Sequence, residues 1–142
     1  MAPQFTLVDT IDGGNDFSAI GIQGLTDVEL LAEGDSYSAL SNVVNMAVTG
    51  VAGAGGATTF TFADTAVAGS ADSAKLTLNN VATAGNTTVN INNTTTVTGN
   101  VGLETLTVDL AGPAGVRASA VTLATNSTQS LTTLNITVLG YV

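Results

Sequence analysis

The sequence predicts an all-β protein, a stack of short strands of the β-solenoid kind, with a β-sandwich as the alternative arrangement. Thr, Val, Asn and Ala recur in short runs that alternate polar and apolar and are broken by Gly. Helix signals are nearly absent. The best helix formers lie in residues 26–40, yet Val28, Leu30 and Leu31 lack good apolar partners at helical spacing, and Gly34 interrupts them. Aromatic residues make up only 4% of a chain whose hydrophobic fraction is 44%, so the core must be thin, regular and lined with small side chains.

Taken in order, residues 5–8 (Phe-Thr-Leu-Val) and 28–32 (Val-Glu-Leu-Leu-Ala) open the series of expected strands, followed by 44–49 (Val-Asn-Met-Ala-Val-Thr). Residues 58–62 and 75–79 alternate most cleanly, with Phe60 and Phe62, or Leu76 and Leu78, on one face and polar residues on the other. That pattern describes a sheet with one buried and one solvated face. Residues 87–91, 95–98, 105–110, 121–124 and 134–139 complete the set. Hairpin signals are few: the only Asp-Gly, Asp12-Gly13, does not separate two alternating runs, and Asn-Gly is absent. Parallel stacking is therefore favoured. Asn92-Asn93 and Gly99-Asn100 are weaker turn candidates that would make residues 87–110 an antiparallel meander.

A degenerate repeat runs through the chain, in which a small residue and a Leu precede two polar positions and an apolar strand. Its four copies begin at Leu25, Leu40, Leu103 and Leu131, the second fitting worst because Val43-Val44 breaks the alternation. The separations of 15, 63 and 28 positions are too uneven for a strict solenoid code. Physically, each Leu enters the core at a turn, after which the strand sends every second side chain inward.

With 142 residues the chain fits one domain, expected to span 1–142, with 1–20 as a candidate N-terminal arm and the chain as a candidate segment of a longer surface protein. Eleven acidic residues face only Lys75 and Arg117, a net charge of -9. Nucleic acid and anionic membrane surfaces are thereby disfavoured as partners, and the unpaired carboxylates favour solubility or divalent cations that neutralise them. Without Cys or His there is neither a disulfide nor a thiolate- or imidazole-based zinc site. No basic and apolar leader opens the sequence, so no cleavable signal peptide is expected, and no apolar run is long enough for a spanning helix. Direct membrane insertion is not expected.

The phrases Lys75-Leu-Thr-Leu-Asn-Asn80, Asn100-Val-Gly-Leu-Glu-Thr-Leu-Thr-Val-Asp109 and Leu131-Thr-Thr-Leu-Asn-Ile136 resemble the β-strand-repeat bodies of proteobacterial surface-layer proteins, which are often related to calcium-binding repeats-in-toxin proteins. The resemblance is closest over residues 70–142. It implies type I export, a secreted location on the bacterial cell surface, and assembly of copies into a lattice with the help of calcium. Outer-membrane polysaccharide would be contacted through another region. An adhesin or fibre module binding a host or matrix ligand is the alternative.

The strongest metal candidate is the segment holding Asp9, Asp12, Asn15 and Asp16, where carboxylate and amide oxygens surround Gly13-Gly14 and could wrap calcium. The Gly-Gly pair matches part of the toxin-repeat nonapeptide, but its following Gly and spaced Asp are missing. An Asx-rich turn that bonds its own backbone accounts for the same residues. Asp27, Glu29, Glu33 and Asp35 form a second acidic cluster, in which Asp27 and Glu29, two apart on one strand face, could hold calcium at a rung edge, with a solvated strand face as the plainer account. Catalysis is not expected. His and Cys are absent, Lys75 is the only side-chain amine available as a base, and a sugar platform would have only Tyr37 and Tyr141 besides four Phe. The Thr-x-Thr pairs at Thr59, Thr96 and Thr105 are spaced too unevenly in sequence to suggest a flat ice-binding array. The Asn-x-Thr sequons at Asn86, Asn92, Asn93, Asn126 and Asn135 read as composition.

Overall fold

The computed structural model describes residues 4–10, 14–31, 34–50, 57–79, 86–94, 102–111, 120–125 and 131–138. Its strands are β1 (Phe5–Asp9), β2 (Asp16–Ser18), β3 (Leu25–Leu30), β4 (Ser36–Leu40), β5 (Asn45–Thr49), β6 (Ala57–Phe62), β7 (Ser73–Asn79), β8 (Asn86–Asn93), β9 (Thr105–Ala111), β10 (Ala120–Thr125) and β11 (Thr133–Val138), with a single 3-10 turn at Asp64–Val67 among the described residues.

Successive strands alternate between two sheets. Sheet A runs β1-β3-β5-β7-β9-β11 and sheet B runs β10-β8-β6-β4-β2. Every pairing is parallel, because each strand meets the one a full coil away rather than its neighbour in sequence. This is the β-solenoid expected from the scarcity of hairpin signals, and the antiparallel sandwich is excluded. The meander proposed for 87–110 is also corrected. β8 runs unbroken through Asn92-Asn93 in sheet B, whereas β9 lies in sheet A. The Thr95–Thr98 strand candidate lies outside the described residues.

Side-chain alternation explains the core. In sheet A one column reads Leu7, Val28, Met46, Leu76, Val108 and Ile136, each opposite the next in register. A second reads Leu30, Val48, Leu78, Leu110 and Val138, and at its β1 end the register places Asp9 opposite Leu30. In sheet B, Phe17, Tyr37, Phe60 and Ile91 form the matching column. Its rings stack in series: Phe17 meets Tyr37 edge-on with centroids 6.0 Å apart, and Tyr37 lies over Phe60 at 6.3 Å. Each fully buried aliphatic or aromatic side chain here contributes about 1.5–3 kcal/mol.

The uneven repeat acquires a structural meaning. All four of its leucines precede or open sheet A strands: Leu25 begins β3, Leu40 ends β4 just ahead of β5, and Leu103 and Leu131 stand two residues before β9 and β11. Residue spacing varies because the connections vary, not the stack. Asp16 pairs with Ser36, 20 residues on, whereas Ser73 pairs with Thr105, 32 residues on. Irregular spacing was therefore a poor ground for rejecting an aligned Thr array. What separates the Thr pairs is topology, since Thr59 lies in sheet B and Thr105 in sheet A, while Thr96 falls outside the described residues.

Even pairing breaks twice among the described strands: where β1 steps from Phe5 opposite Leu25 to Thr6 opposite Asp27, and in β4. Tyr37 faces Phe60 and Leu40 faces Phe62, so three β4 steps span two of β6. Ala39 absorbs the bulge at a left-handed φ of 54°, a conformation that favours Gly. The segment 1–20 carries β1 and β2, which form the first coil against β3 and β4.

Candidate functional site

β1 parity puts Phe5, Leu7 and Asp9 on the inward side, so Asp9 turns toward the core and is only 4% exposed. Asp35, just ahead of β4 in the next coil, is 0% exposed. Its Oδ1 accepts the Asn15 backbone N–H at 2.7 Å, while its Oδ2 is buried with no hydrogen-bond partner. Tyr37 spans the interior from sheet B to sheet A. Its hydroxyl lies 3.3 Å from the carbonyl oxygens of both Leu7 and Glu29, to which it can donate.

The electrostatics reflect this geometry. The Tyr37 hydroxyl is pushed up to about 12, first by burial and then by the charges of Asp9, Glu29 and Asp35, with the Asp9 backbone N–H partly opposing. Three carboxylates thus act on one buried hydroxyl. The described cation, Lys75, is committed elsewhere, to Asp109 on the outer face, and Arg117 lies outside the described residues.

The residues singled out from sequence are only partly gathered. Asp9 belongs to the buried centre. Asn15 joins it through its backbone rather than its side chain. Asp16 points outward, where its Oδ1 accepts from Ser36 Oγ at 2.9 Å, and Asp12 is outside the described residues. Asp27 and Glu29 do share the outer face of β3, but Asp27 already accepts from Thr26 at 2.7 Å and Asn45 at 3.2 Å. Together with Thr6, Asn45, Lys75 and Thr77 they line a shallow open groove of about 330 Å³. Among the described residues no group of three or more acidic side chains is placed to hold a metal ion. Asp35, grouped in sequence with Asp27, Glu29 and Glu33, is instead brought by the coil register against Asn15.

Elsewhere, acidic residues serve the coil corners. The Asp72 N–H donates to Glu104 Oε2 at 2.7 Å, Glu104 N–H donates to Asp72 O at 3.0 Å, and Thr132 N–H donates to Glu104 O at 2.9 Å. That stack explains why Glu104 occupies its place in the repeat phrase. On sheet B, Asn90 donates to Thr59 Oγ1 at 3.1 Å, continuing the outer polar row begun by Asp16 and Ser36.

Comparison with protein-family models, curated proteins and solved structures gives no match for this chain. Function must be argued from the geometry.

Proposed function

We propose that this chain is a structural, non-catalytic element of a secreted bacterial surface assembly, and that its partner is a second copy of itself stacked coil on coil. One observation carries the reading. Among the described strands β11 is the outermost of sheet A, and its inward row Leu134, Ile136 and Val138 is 47%, 59% and 65% exposed, although Leu106, Val108 and Leu78 in the same columns are buried. Such an edge offers both unpaired backbone groups and an apolar row. The chemistry that covers these columns everywhere else in the molecule is another parallel strand with apolar residues two apart.

β1, at the opposite edge of the same sheet, has that pattern in Phe5 and Leu7, and Phe5, Phe17 and Ile20 are exposed around it. Continuing the column Leu7 to Ile136 places Ile136 of one copy over Leu7 of the next. The contact is head-to-tail and does not close on itself, so it generates filaments or, with lateral contacts, sheets. A chain of net charge -9 repels its own copies, which makes neutralisation by calcium a further part of the proposal.

Light scattering and sedimentation, with calcium added and then chelated, test this reading. Reversible growth that depends on protein concentration supports it. A monomer at all concentrations in both conditions refutes it, and would redirect attention to a ligand-binding module.

A further inference from the structure

We propose that the buried centre formed by Asp9, Asp35 and Tyr37 between the first two coils holds one hard divalent cation. The proposal deepens the calcium part of the reading above by naming interior residues, and it does not depend on copies associating.

Asp35 is fully buried. Such a carboxylate normally finds partners for both oxygens, because a buried acceptor left unsatisfied is costly, the more so if charged. Here Oδ1 is held by the Asn15 N–H, and Oδ2, also buried, has no hydrogen-bond partner. Asp9 adds a second nearly buried carboxylate, and both act on the same Tyr37 hydroxyl. The unsatisfied Asp35 oxygen, fully buried, calls for a positive partner of its own. Lys75 is paired with Asp109.

The surroundings specify what fits. The Tyr37 hydroxyl and the Leu7 and Glu29 carbonyls beside it are, like the two carboxylates, oxygen donors. The chain contains neither His nor Cys. An all-oxygen donor set of two carboxylates, carbonyls and a hydroxyl selects calcium-like ions over zinc or copper. The elements that supply it are rigid. Asp9 ends β1 in sheet A, whereas Asp35 is fixed by the Asn15 N–H and by its own carbonyl, which accepts the Thr59 N–H at 3.1 Å. A cation there would tie sheet A to sheet B across the first two coils. The surface acids Asp16 and Asp27, each already bonded to neighbouring side chains, are not part of it.

Terbium luminescence provides the test, since the chain has no Trp and only Tyr37 and Tyr141 could sensitise the ion. Metal-free full-length protein at high dilution, where copies do not associate, is titrated with terbium under tyrosine excitation and then with calcium. The expected result is saturable emission that calcium displaces. Asp35→Asn should weaken terbium affinity at least tenfold, and Asp16→Asn should leave it unchanged. Tyr37→Phe, which removes the sensitiser and one of several oxygen donors, should lose the emission and reduce, without abolishing, the calcium-induced rise in melting temperature. Absence of both emission and a calcium-dependent melting shift in the intact protein would overturn the proposal. So would emission that survives both Asp35→Asn and Tyr37→Phe. If Asp35→Asn stabilises the chelated protein and no ion binds, the proposal fails. Because the assay reads dilute monomer, its failure leaves the stacking of copies to be judged separately.

Discussion

Truncating one column at its middle and at its edge should give very different costs. Leu76 and Ile136 belong to the same inward column of sheet A, but Leu76 is fully buried between Met46 and Val108 whereas Ile136 forms the exposed end. Leu76→Ala opens a cavity whose walls are fixed by two parallel ladders and cannot collapse into it, so the cost lies near the middle of the usual range, about 3–4 kcal/mol. Ile136 keeps more than half of its surface in water, so Ile136→Ala forfeits about 1 kcal/mol or less. Urea unfolding of dilute protein, followed by circular dichroism, measures both. At a typical urea dependence of about 1–3 kcal/mol per molar, the midpoint falls by roughly 1–4 M for Leu76→Ala and by about 1 M or less for Ile136→Ala, with the two compared at the same dependence. Equal costs would mean that β11 is covered within the single chain, and the reasoning from an open edge would fail.

Other substitutions probe the interior. Thr58 is fully buried in β6, opposite Val89, and its Oγ1 has no partner, so Thr58→Val should stabilise the fold by about 1 kcal/mol in the same denaturation assay. Ala39 sits at φ 54°, and Ala39→Gly should raise stability by roughly 0.5–1 kcal/mol, whereas Ala39→Val should lower it. Tyr37 holds its proton to about 12 in the folded chain against 10.0 when unfolded, so between those values the folded state binds the extra proton. Its contribution is complete below pH 10 and is lost as pH rises toward 12, a decline of roughly 2 kcal/mol in chelated protein that Tyr37→Phe should flatten.

Much of this fold was legible because alternation alone sets which side chains face inward. Residues 58–62 and 75–79, with their Phe and Leu pairs, became β6 and β7, each extended by one or two residues. β2 and β4 escaped notice for physical reasons. β2 is three residues long, and the alternation of Ser36-Tyr37-Ser38 is broken at once by the bulge at Ala39. The best helix-forming stretch, 26–40, became β3 and β4 because burying Val28, Leu30, Tyr37 and Leu40 between two sheets outweighs local propensity.

The candidate site was harder to read. Asp9, Asp12, Asn15 and Asp16 look like one turn in sequence, yet strand parity sends Asp9 inward with Phe5 and Leu7 while Asp16 remains on the surface. That parity was available in the alternation of residues 5–9. The partnership with Asp35 was not, since it depends on the coil register between β2 and β4, and an Asp ahead of a strand ordinarily reads as a solvated turn residue.

Coil-on-coil stacking is tested most directly by a crosslink between copies. The chain has no cysteine, and continuing the column with Ile136 over Leu7 sets Asn135 of one copy beside Thr6 of the next, both on the outer face. β1 and β11 lie at opposite edges of sheet A, so a bridge within one chain is ruled out. The double variant Asn135→Cys with Thr6→Cys should form, under mild oxidation, a ladder of dimers, trimers and longer species that collapses on reduction. Either single variant should stop at dimers. A double variant that yields only monomers, or only the dimers seen with the single variants, would contradict the account.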